Sequence, residues 1–425
     1  MEYRKSRPPV FGLAIVAIVF MLQAQSSLAA YSNYNSILIG DQAAGMGGAY
    51  TAMAEDAAAQ PWYNPATLAF LKGESFSAAV GIYKKFDTTY GSSEDFTKAS
   101  LRVNQGFFRA LPSSTGSVVR FKEFLPDYTL ALSIIVPEYE SFKGDIHNTS
   151  DNISTLTLSD ESLWVGASLS KKISVNEGMG LSLYYTARSM VKTVSDRTIS
   201  GSTMIAYSEE RAITQNALVA ILGYYYKWTP NFRLGASVRF PSMHVAGFAS
   251  YFDSYINASG TPTQKNYSSL DSKTRIPAKY TLGWSWQALD ELVIAGDVSV
   301  YGREQYNDLE SEDVAEKIEH RQIWNGSLGA ELALRTWLKI RVGGYTNFSA
   351  HPDPDLTKVK GQGDHVDQLG FSANAALIRG NMQYTFGGYY TGGRGKSVQR
   401  FNQQYQLVDK ATQVFTMLIG TSYSF

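Results

Sequence analysis

The sequence predicts an all-β fold, a transmembrane antiparallel β-barrel of about 14 strands whose lumen is plugged by an N-terminal segment. Three observations predict it: an export signal, period-two alternation of apolar and polar residues, and connections that alternate between short and long. After the export signal, no apolar stretch approaches the ~20 residues that a spanning helix needs. A membrane protein without such helices has to close its strands into a barrel, because every backbone polar group in lipid requires a partner.

Residues 1–29 have the features of a cleavable signal peptide. Arg4, Lys5 and Arg7 form a basic region, and the apolar run 10–22 follows it. Residues 27–29 (Ser-Leu-Ala) place small side chains before the expected cleavage site near Ala29. The apolar run is too short for a spanning helix. We therefore expect export, cleavage and a location in the outer membrane of a bacterial cell.

The composition excludes several classes of protein. The chain has 425 residues and no cysteine, so disulfides cannot stabilise the exported protein. Lys+Arg and Asp+Glu balance at 38 each, which argues against nucleic acid as a partner. The 27 Tyr and 21 Phe suit the aromatic girdles of a barrel. The expected partner is the lipid bilayer of the outer membrane, and we expect the protein to be a monomer.

The middle of the chain shows the alternation most clearly. Apolar residues alternate with polar or small ones in residues 232–240, 280–287 and 382–390. The same pattern runs through residues 415–425, so the chain ends on a strand with a terminal aromatic residue. The apolar side is expected to face lipid and the polar side the lumen. A guanidinium facing lipid at mid-bilayer costs roughly 2–4 kcal/mol, so Arg233 and Arg239 are expected to face inward.

The connections give an independent indication of the barrel, which we assign to residues 74–425. Tight connections are predicted at 176–178, 229–231, 289–290, 335–336 and 380–381. Long polar connections are predicted near 87–98, 144–152, 252–267, 306–317, 350–363 and 393–410. Short periplasmic turns and long outer loops are typical of outer-membrane barrels. The stretch 99–126 has the weakest pattern and predicts an irregular link.

Residues 30–73 do not resemble barrel strands, because they are compact and rich in Ala and Gly. The glycines of residues 45–48 permit conformations and close approaches that larger residues do not. Asn64 is a good helix N-cap and Pro65 a good first residue, so a short helix is predicted there. It is expected to run through Leu71 and to end at Gly73.

These N-terminal motifs resemble the hatch of the FadL-like family of long-chain fatty acid transporters. The hatch residues that carry the resemblance are Gly45, Met46, Gly47 and Gly48, the acidic and Ala-rich stretch with Asp56, and Asn64, Pro65 and Ala66. Similarity continues in 229–239, 277–297 and 324–355, so it covers most of the chain after residue 30. Thr67 departs from the family pattern, where many members carry Gly. The resemblance implies that the hatch plugs the periplasmic part of a fourteen-stranded barrel.

The resemblance also implies a function, the uptake of long-chain fatty acids or other small hydrophobic compounds. In the family, the compound is captured at an outer groove and leaves sideways through a gap made by a kinked third strand. The third strand predicted here spans 127–143 and contains Pro137, which has no N–H for the ladder. Pro137 therefore predicts the kink. The alternative is that Pro137 lies above the membrane where the strand frays.

A fatty acid would need an apolar tunnel and a cation at its carboxylate. The candidate cations expected to face the lumen are Arg188, Arg233, Arg239 and Lys279. Each could instead form a structural ion pair with a lumen carboxylate such as Asp297. We predict no cofactor, no metal and no enzymatic activity, because the five histidines are scattered. The alternatives for function are an adaptor or shuttle for protein secretion and an open diffusion porin.

Overall fold

The computed structural model describes most of the chain after residue 32. The described residues are 33–71, 73–90, 101–105, 111–120, 127–149, 152–200, 203–257, 259–311, 313–357, 362–401 and 404–425. The predicted signal peptide, 1–29, lies outside them. No helix within these ranges is both long enough and apolar enough to cross a membrane.

Three short helical elements precede the first strand. They are α1 (Asp41–Gly45), α2 (Gln60–Tyr63) and a 3₁₀ helix (Pro65–Phe70). Asn64 caps the 3₁₀ helix, since its side-chain oxygen accepts a hydrogen bond from the Ala66 amide at 3.1 Å. The predicted start is therefore confirmed, but the element is a 3₁₀ helix, the form that short helical pieces often take. Gly73 follows with φ of 93°, which favours glycine.

The rest of the described chain is mostly β-strand. The strands are β1 (Ser75–Tyr90), β2 (Leu101–Gln105), β3 (Leu111–Val119), β4 (Tyr128–Thr149), β5 (Asn152–Lys172), β6 (Glu177–Ser200), β7 (Thr203–Lys227), β8 (Phe232–Arg239), β9 (Met243–Ile256), β10 (Pro262–Asp271), β11 (Lys279–Leu289), β12 (Leu292–Tyr301), β13 (Glu304–Asn307), β14 (Lys317–His320), β15 (Ile323–Arg335), β16 (Leu338–Asn347), β17 (His365–Arg379), β18 (Met382–Phe401) and β19 (Gln404–Ser424).

These strands form a closed antiparallel barrel. All of them except β13 and β14 belong to one sheet, and the sheet closes because β1 pairs with both β19 and β3. Three crossings consist of two strands each, namely β2 with β3, β8 with β9, and β10 with β11. Counted as crossings, the sheet has fourteen, as the sequence predicted. The β13–β14 hairpin lies in the connection between β12 and β15.

The outer surface of the barrel is apolar, as the alternation predicted. On β11, Leu282 and Trp286 are 52% and 47% exposed, whereas Thr281 and Ser285 between them are buried. Large apolar side chains on other strands are exposed in the same way, among them Leu132, Leu183, Val298, Leu328, Phe371, Phe386 and Met417. Trp228, Trp286 and Trp337 are exposed near the short turns, where an aromatic girdle lies at the membrane interface.

The tight turns lie where the sequence predicts them, but three of the six predicted long polar connections are mostly strand. The predicted loop 144–152 is the end of β4 and the start of β5, and 393–410 is mostly β18 and β19. Similarly, 252–267 is mostly β9 and β10. The prediction was wrong there because strands that extend beyond the lipid are in water on both faces, so they lose the apolar alternation while their backbones still pair.

Candidate functional site

The N-terminal segment (residues 33–71) is anchored to the barrel wall by Asp297 of β12. Its Oδ2 accepts hydrogen bonds from the amides of Tyr50 and Thr51, both at 2.9 Å, and from the Thr51 hydroxyl at 2.7 Å. Ser285 of β11 adds a hydrogen bond to the Ala52 carbonyl at 3.1 Å. The sequence placed Asp297 in the lumen as the partner of a cation. Its role as an acceptor for the segment was missed.

The glycine-rich part of the segment lies against the wall formed by β16 and β17. Ser372 accepts a hydrogen bond from the Gly47 amide and donates one to the Gly45 carbonyl, both at 3.0 Å. Gly47 has φ of 66°, and a Cβ there would lie 3.0 Å from the Gly344 amide nitrogen. A larger residue at Gly47 would therefore be strained and would also push the segment away from the wall.

The other end of the segment lies against β5, β6 and β7. The Asn64 side chain donates to the carbonyls of Thr51 and Tyr224, at 2.8 and 2.9 Å. Ser170 of β5 donates to the Ala66 carbonyl at 3.1 Å, and Ser77 of β1 donates to Asp56 at 2.8 Å. Of the eight hatch residues named from the sequence, all are buried except Gly48, which is half-buried. The segment thus contacts strands on opposite sides of the barrel.

The strand pairing of the barrel wall is disturbed at Pro137, in the third crossing. The pairing of β4 with β3 ends at Ile135 and Ser114, and its register with β5 slips between Ile135 and Glu138. Residues 135–139 are all buried, so the alternation of inward and outward side chains is lost there. Pro137 lies within this bulge. Pairing with β5 resumes at Glu138 and Ser162, so the strand continues beyond the proline.

The bulge borders a cluster of apolar side chains inside the barrel, which we call the inner apolar cluster. Its members are Ile37, Ile39, Ile135, Val136, Tyr139, Trp164, Tyr184, Val219, Ile221 and Ile276, with Trp62 and Tyr63 packed against them. The rings of Trp62 and Trp164 meet edge to face, 5.1 Å between centroids. The cluster joins the N-terminal segment to the walls formed by β4, β5, β6 and β7.

Two of the four predicted cations lie together beside this cluster. The Arg239 guanidinium is surrounded by aromatic rings, 5.6 Å from that of Trp62, 5.9 Å from Trp164 and 5.7 Å from Tyr301. The Lys279 ammonium lies 5.2 Å from the Tyr301 ring. Arg239 is 5% exposed. Among the described residues, its Nε has no hydrogen-bond partner and no carboxylate forms an ion pair with it.

Arg239 and Lys279 line a small cavity together with Thr51, Trp62, Tyr63, Ile221, Ser237 and Thr281. The cavity volume is about 10 Å³, which is room for about one water molecule. A buried guanidinium with an unsatisfied N–H, in a polar pocket at the edge of an apolar cluster, is suited to bind an anionic group. An apolar tail would have to displace side chains of the cluster.

The other two predicted cations are elsewhere. Arg188 forms a bidentate ion pair with Asp160, at 2.9 and 2.6 Å, and also donates to Gln215 at 3.0 Å. This contact supports the alternative stated for Arg188, a structural ion pair with a carboxylate in the lumen. Arg233 is half-buried near the periplasmic end of β8, six positions before Arg239 along the strand, and lies opposite Lys227.

Three histidines that are distant in sequence meet near the outer end of the barrel. The rings of His320 and His351 are 4.5 Å apart, and His365 hydrogen-bonds to the His351 carbonyl. The Tyr34 hydroxyl lies 3.2 Å from Nδ1 of His320. Burial lowers the pKa of His351, in the connection after β16, to about 4. No group of residues in the described ranges could hold a metal ion.

No protein-family model matches the sequence, and no curated protein matches it. Solved structures match nearly the whole chain. A FadL homologue from Pseudomonas aeruginosa has a TM-score of 0.68 and 14% identity, covering 94% of this chain and 100% of that one. The P. putida toluene transporter TodX has a TM-score of 0.66 and 15% identity, covering 93% and 99%. CymD, a monoaromatic hydrocarbon channel, has 0.63 and 17%, covering 92% and 99%. The chain therefore has the fold of the FadL-like transporters, as its resemblance to that family predicted.

Proposed function

We propose that the protein is a channel in the bacterial outer membrane that takes up long-chain fatty acids or other small hydrophobic compounds. The observation that carries the proposal is the inner apolar cluster, which offers aromatic and aliphatic contacts inside the barrel. Burying apolar surface stabilises a bound tail by roughly 25 cal/mol per Å², whereas a sugar or an ion gains nothing there. The shared fold with a toluene transporter and a hydrocarbon channel supports the same class of cargo.

The bulge at Pro137 is the proposed exit into the membrane. Ile135 and Val136 within it belong to the inner apolar cluster, and Leu132 and Ile134 just before it are exposed on the lipid side. Cargo in the cluster is therefore separated from lipid by the least regular part of the third crossing. The N-terminal segment is proposed to act as the hatch that closes the periplasmic side, so that cargo leaves sideways.

Arg239 and Lys279 are the proposed partners of a cargo carboxylate. The unsatisfied Nε of Arg239 supports this, because a carboxylate would supply the missing acceptor. Arg188 is less suited, since Asp160 already occupies its guanidinium. Arg233 is less suited because it lies near the periplasmic end, away from the cavity. The signal peptide, its cleavage and the monomeric state stay predictions from the sequence.

Binding of oleate, measured through the fluorescence of the lumen tryptophans, tests the proposal. We expect Arg239→Gln to weaken oleate binding roughly 10- to 100-fold, which corresponds to about 1.5–3 kcal/mol for a hydrogen bond to a charged group. Oleyl alcohol, which has the same tail without the charge, should bind both proteins alike. Arg233→Gln is the matched control. If Arg239→Gln binds oleate as tightly as the wild type does, Arg239 does not bind the carboxylate of the cargo. If the wild-type protein binds neither oleate nor oleyl alcohol, the proposed uptake of hydrophobic compounds is refuted.

The contacts of the N-terminal segment with the barrel walls argue against an open porin. The N-terminal segment contacts opposite walls, and the cavity at Arg239 holds about one water molecule. An open porin would give large single-channel conductance in planar bilayers, whereas we expect the wild-type protein to conduct ions poorly. A protein that co-purifies in place of a lipid would instead support the secretion adaptor.

A further inference from the structure

The wall has a second interruption, between the seventh and eighth crossings. The pairing of β8 with β11 ends at Arg239 and Lys279, and the pairing of β9 with β10 begins again only at Phe248 and Asp271. The structure describes both intervening stretches, 240–247 and 272–278, in full. Each contains a proline, Pro241 and Pro277, which lacks the N–H that a ladder needs.

The stretch 272–278, which we call the gate stretch, has buried side chains at positions 272, 274 and 276–278. Ile276 belongs to the inner apolar cluster, and Pro277 beside it is also buried. On the outer side, large apolar side chains lie exposed along the facing crossing: Phe240 (40%), Met243 (64%), Val245 (53%) and Phe248 (61%). Lys273 and Arg275 of the gate stretch itself are exposed, as suits the headgroup level at the outer edge of this apolar surface. The gate stretch therefore lies between an apolar outer surface and the apolar interior.

Isolated hydrogen bonds hold the gate stretch in place of a continuous ladder. Toward the seventh crossing, Ser242 donates its amide to the Ile276 carbonyl at 3.0 Å and accepts from the Ile276 amide at 2.7 Å. The Ser272 amide donates to Gly247 at 3.2 Å. Toward the other side, the Lys273 amide donates to the Asp308 carbonyl at 3.3 Å, Ser272 forms an isolated bridge with Leu309, and the Ala278 carbonyl accepts from Gly302 at 2.9 Å. Segments with few backbone hydrogen bonds open locally at lower cost than laddered strands.

The cavity adjoins the gate stretch and is linked to it by Arg239. Arg239 and Lys279, which line the cavity, are the last paired residues below the interruption. The Nη2 of Arg239 donates to the Pro277 carbonyl on the gate stretch, at 3.4 Å. A carboxylate that binds Arg239 competes with this carbonyl for the guanidinium. Ligand binding would therefore weaken one of the contacts that keep the gate stretch closed.

We propose that the gate stretch is a second lateral portal, through which a hydrophobic anion passes between the outer part of the membrane and the cavity at Arg239. The position follows from strand length, because about 9–11 residues cross the bilayer. Arg239 is the last residue of the eight-residue strand β8, and Lys279 is the first residue of the eleven-residue strand β11 that pairs with it. The interruption thus opens at the outer interface of the membrane. This inference rests on the proposed function. It adds an entrance from lipid to the inner apolar cluster, four to five crossings away from the exit proposed at Pro137.

Cysteine labelling tests the portal without requiring transport, since the chain contains no cysteine. Ile276→Cys is compared with Val219→Cys, which lies in the same cluster but on β7, where pairing with Tyr184 of β6 is unbroken. The protein is placed in phosphatidylcholine and phosphatidylglycerol vesicles and treated with a membrane-dissolved pyrene maleimide or a water-soluble sulfonated maleimide. We expect the membrane-dissolved reagent to label position 276 about tenfold faster than position 219, because the gate stretch lacks the ladder that holds β7 and one net hydrogen bond corresponds to about tenfold.

Oleate should increase the labelling of position 276 and leave that of position 219 unchanged, because it competes for Arg239. Equal rates at the two positions, with and without oleate, would overturn the portal. Labelling of position 276 by the water-soluble reagent alone would also overturn it, because the opening would then lead to water.

A disulfide across the interruption tests passage itself. Ser242→Cys/Ile276→Cys should bind oleate when oxidised but deliver it into vesicles only after reduction. Leu282→Cys/Val298→Cys, a register pair on the lipid side of the intact β11–β12 ladder, is the control and should deliver oleate in both states. Equal delivery by the oxidised and reduced Ser242/Ile276 pair would overturn the portal while leaving hydrophobic uptake in place. Failure of the wild type to bind oleate would overturn the proposed function, and the labelling comparison would still decide on the portal.

Discussion

Removal of the Asp297 carboxylate should release the N-terminal segment from the wall. All three of its hydrogen bonds from Tyr50 and Thr51 end on Oδ2, and Oδ1 has no hydrogen-bond partner within the described residues. A hydrogen bond to a charged group contributes about 1.5–3 kcal/mol, and neighbouring bonds are not additive. We therefore expect Asp297→Ala to weaken docking of the segment by about 3 kcal/mol. Asp297→Asn keeps one acceptor oxygen and should lose less.

Hydrogen exchange of residues 45–60 measures this effect, because a 3 kcal/mol loss makes local opening roughly a hundredfold more frequent. The barrel strands should exchange as in the wild type, since their ladders are unchanged. Asp290→Asn, in the exposed turn between β11 and β12, is the control. If Asp297→Ala leaves exchange in residues 45–60 at the wild-type rate, the segment is held by other contacts and the anchoring role is wrong.

Two further perturbations address the lumen and the outer end. Deletion of residues 31–60 should raise ion conductance in planar bilayers while the barrel still folds; unchanged conductance in a folded deletion would disagree with the hatch. Acidification should destabilise the connection after β16, because burial lowers the pKa of His351 to about 4. The unfolded state takes up a proton below a pKa of about 6.5 while the folded state does not, so stability falls as pH drops from about 6.5 toward 4. In His351→Asn, the local stability measured by hydrogen exchange should depend less on pH. If it depends on pH as steeply as in the wild type, another titrating group is responsible.

Period-two alternation was enough to predict the two faces of each strand, because it depends only on which face meets lipid. The exposed Leu282 and Trp286 and the buried Thr281 and Ser285 follow the pattern directly. The same rule could not predict where β8 ends and β9 begins. Pro241 is visible in the sequence, but a single proline fits an edge, a bulge or a strand end equally well.

The partners of individual side chains could not be predicted, because alternation gives the face of a residue and not its neighbours. The sequence predicts that Arg188 and Arg239 are both cations that face the lumen. Asp160, which lies on the adjacent strand β5, occupies Arg188, whereas aromatic rings surround Arg239. Asp297 likewise accepts hydrogen bonds from Tyr50 and Thr51, which lie 247 and 246 positions earlier in the chain. Contacts over such distances are set by the closure of the barrel.

The two wall interruptions have a common physical context. In lipid, an unpaired backbone amide or carbonyl costs several kcal/mol, so a barrel without a passage gains nothing from breaking its ladder. Here both breaks contain prolines, and both adjoin the inner apolar cluster, through Ile135 and Val136 on one side and Ile276 on the other. A barrel that only held a plug would need neither break. A hydrophobic compound that enters from lipid and returns to lipid needs both, with an apolar interior between them.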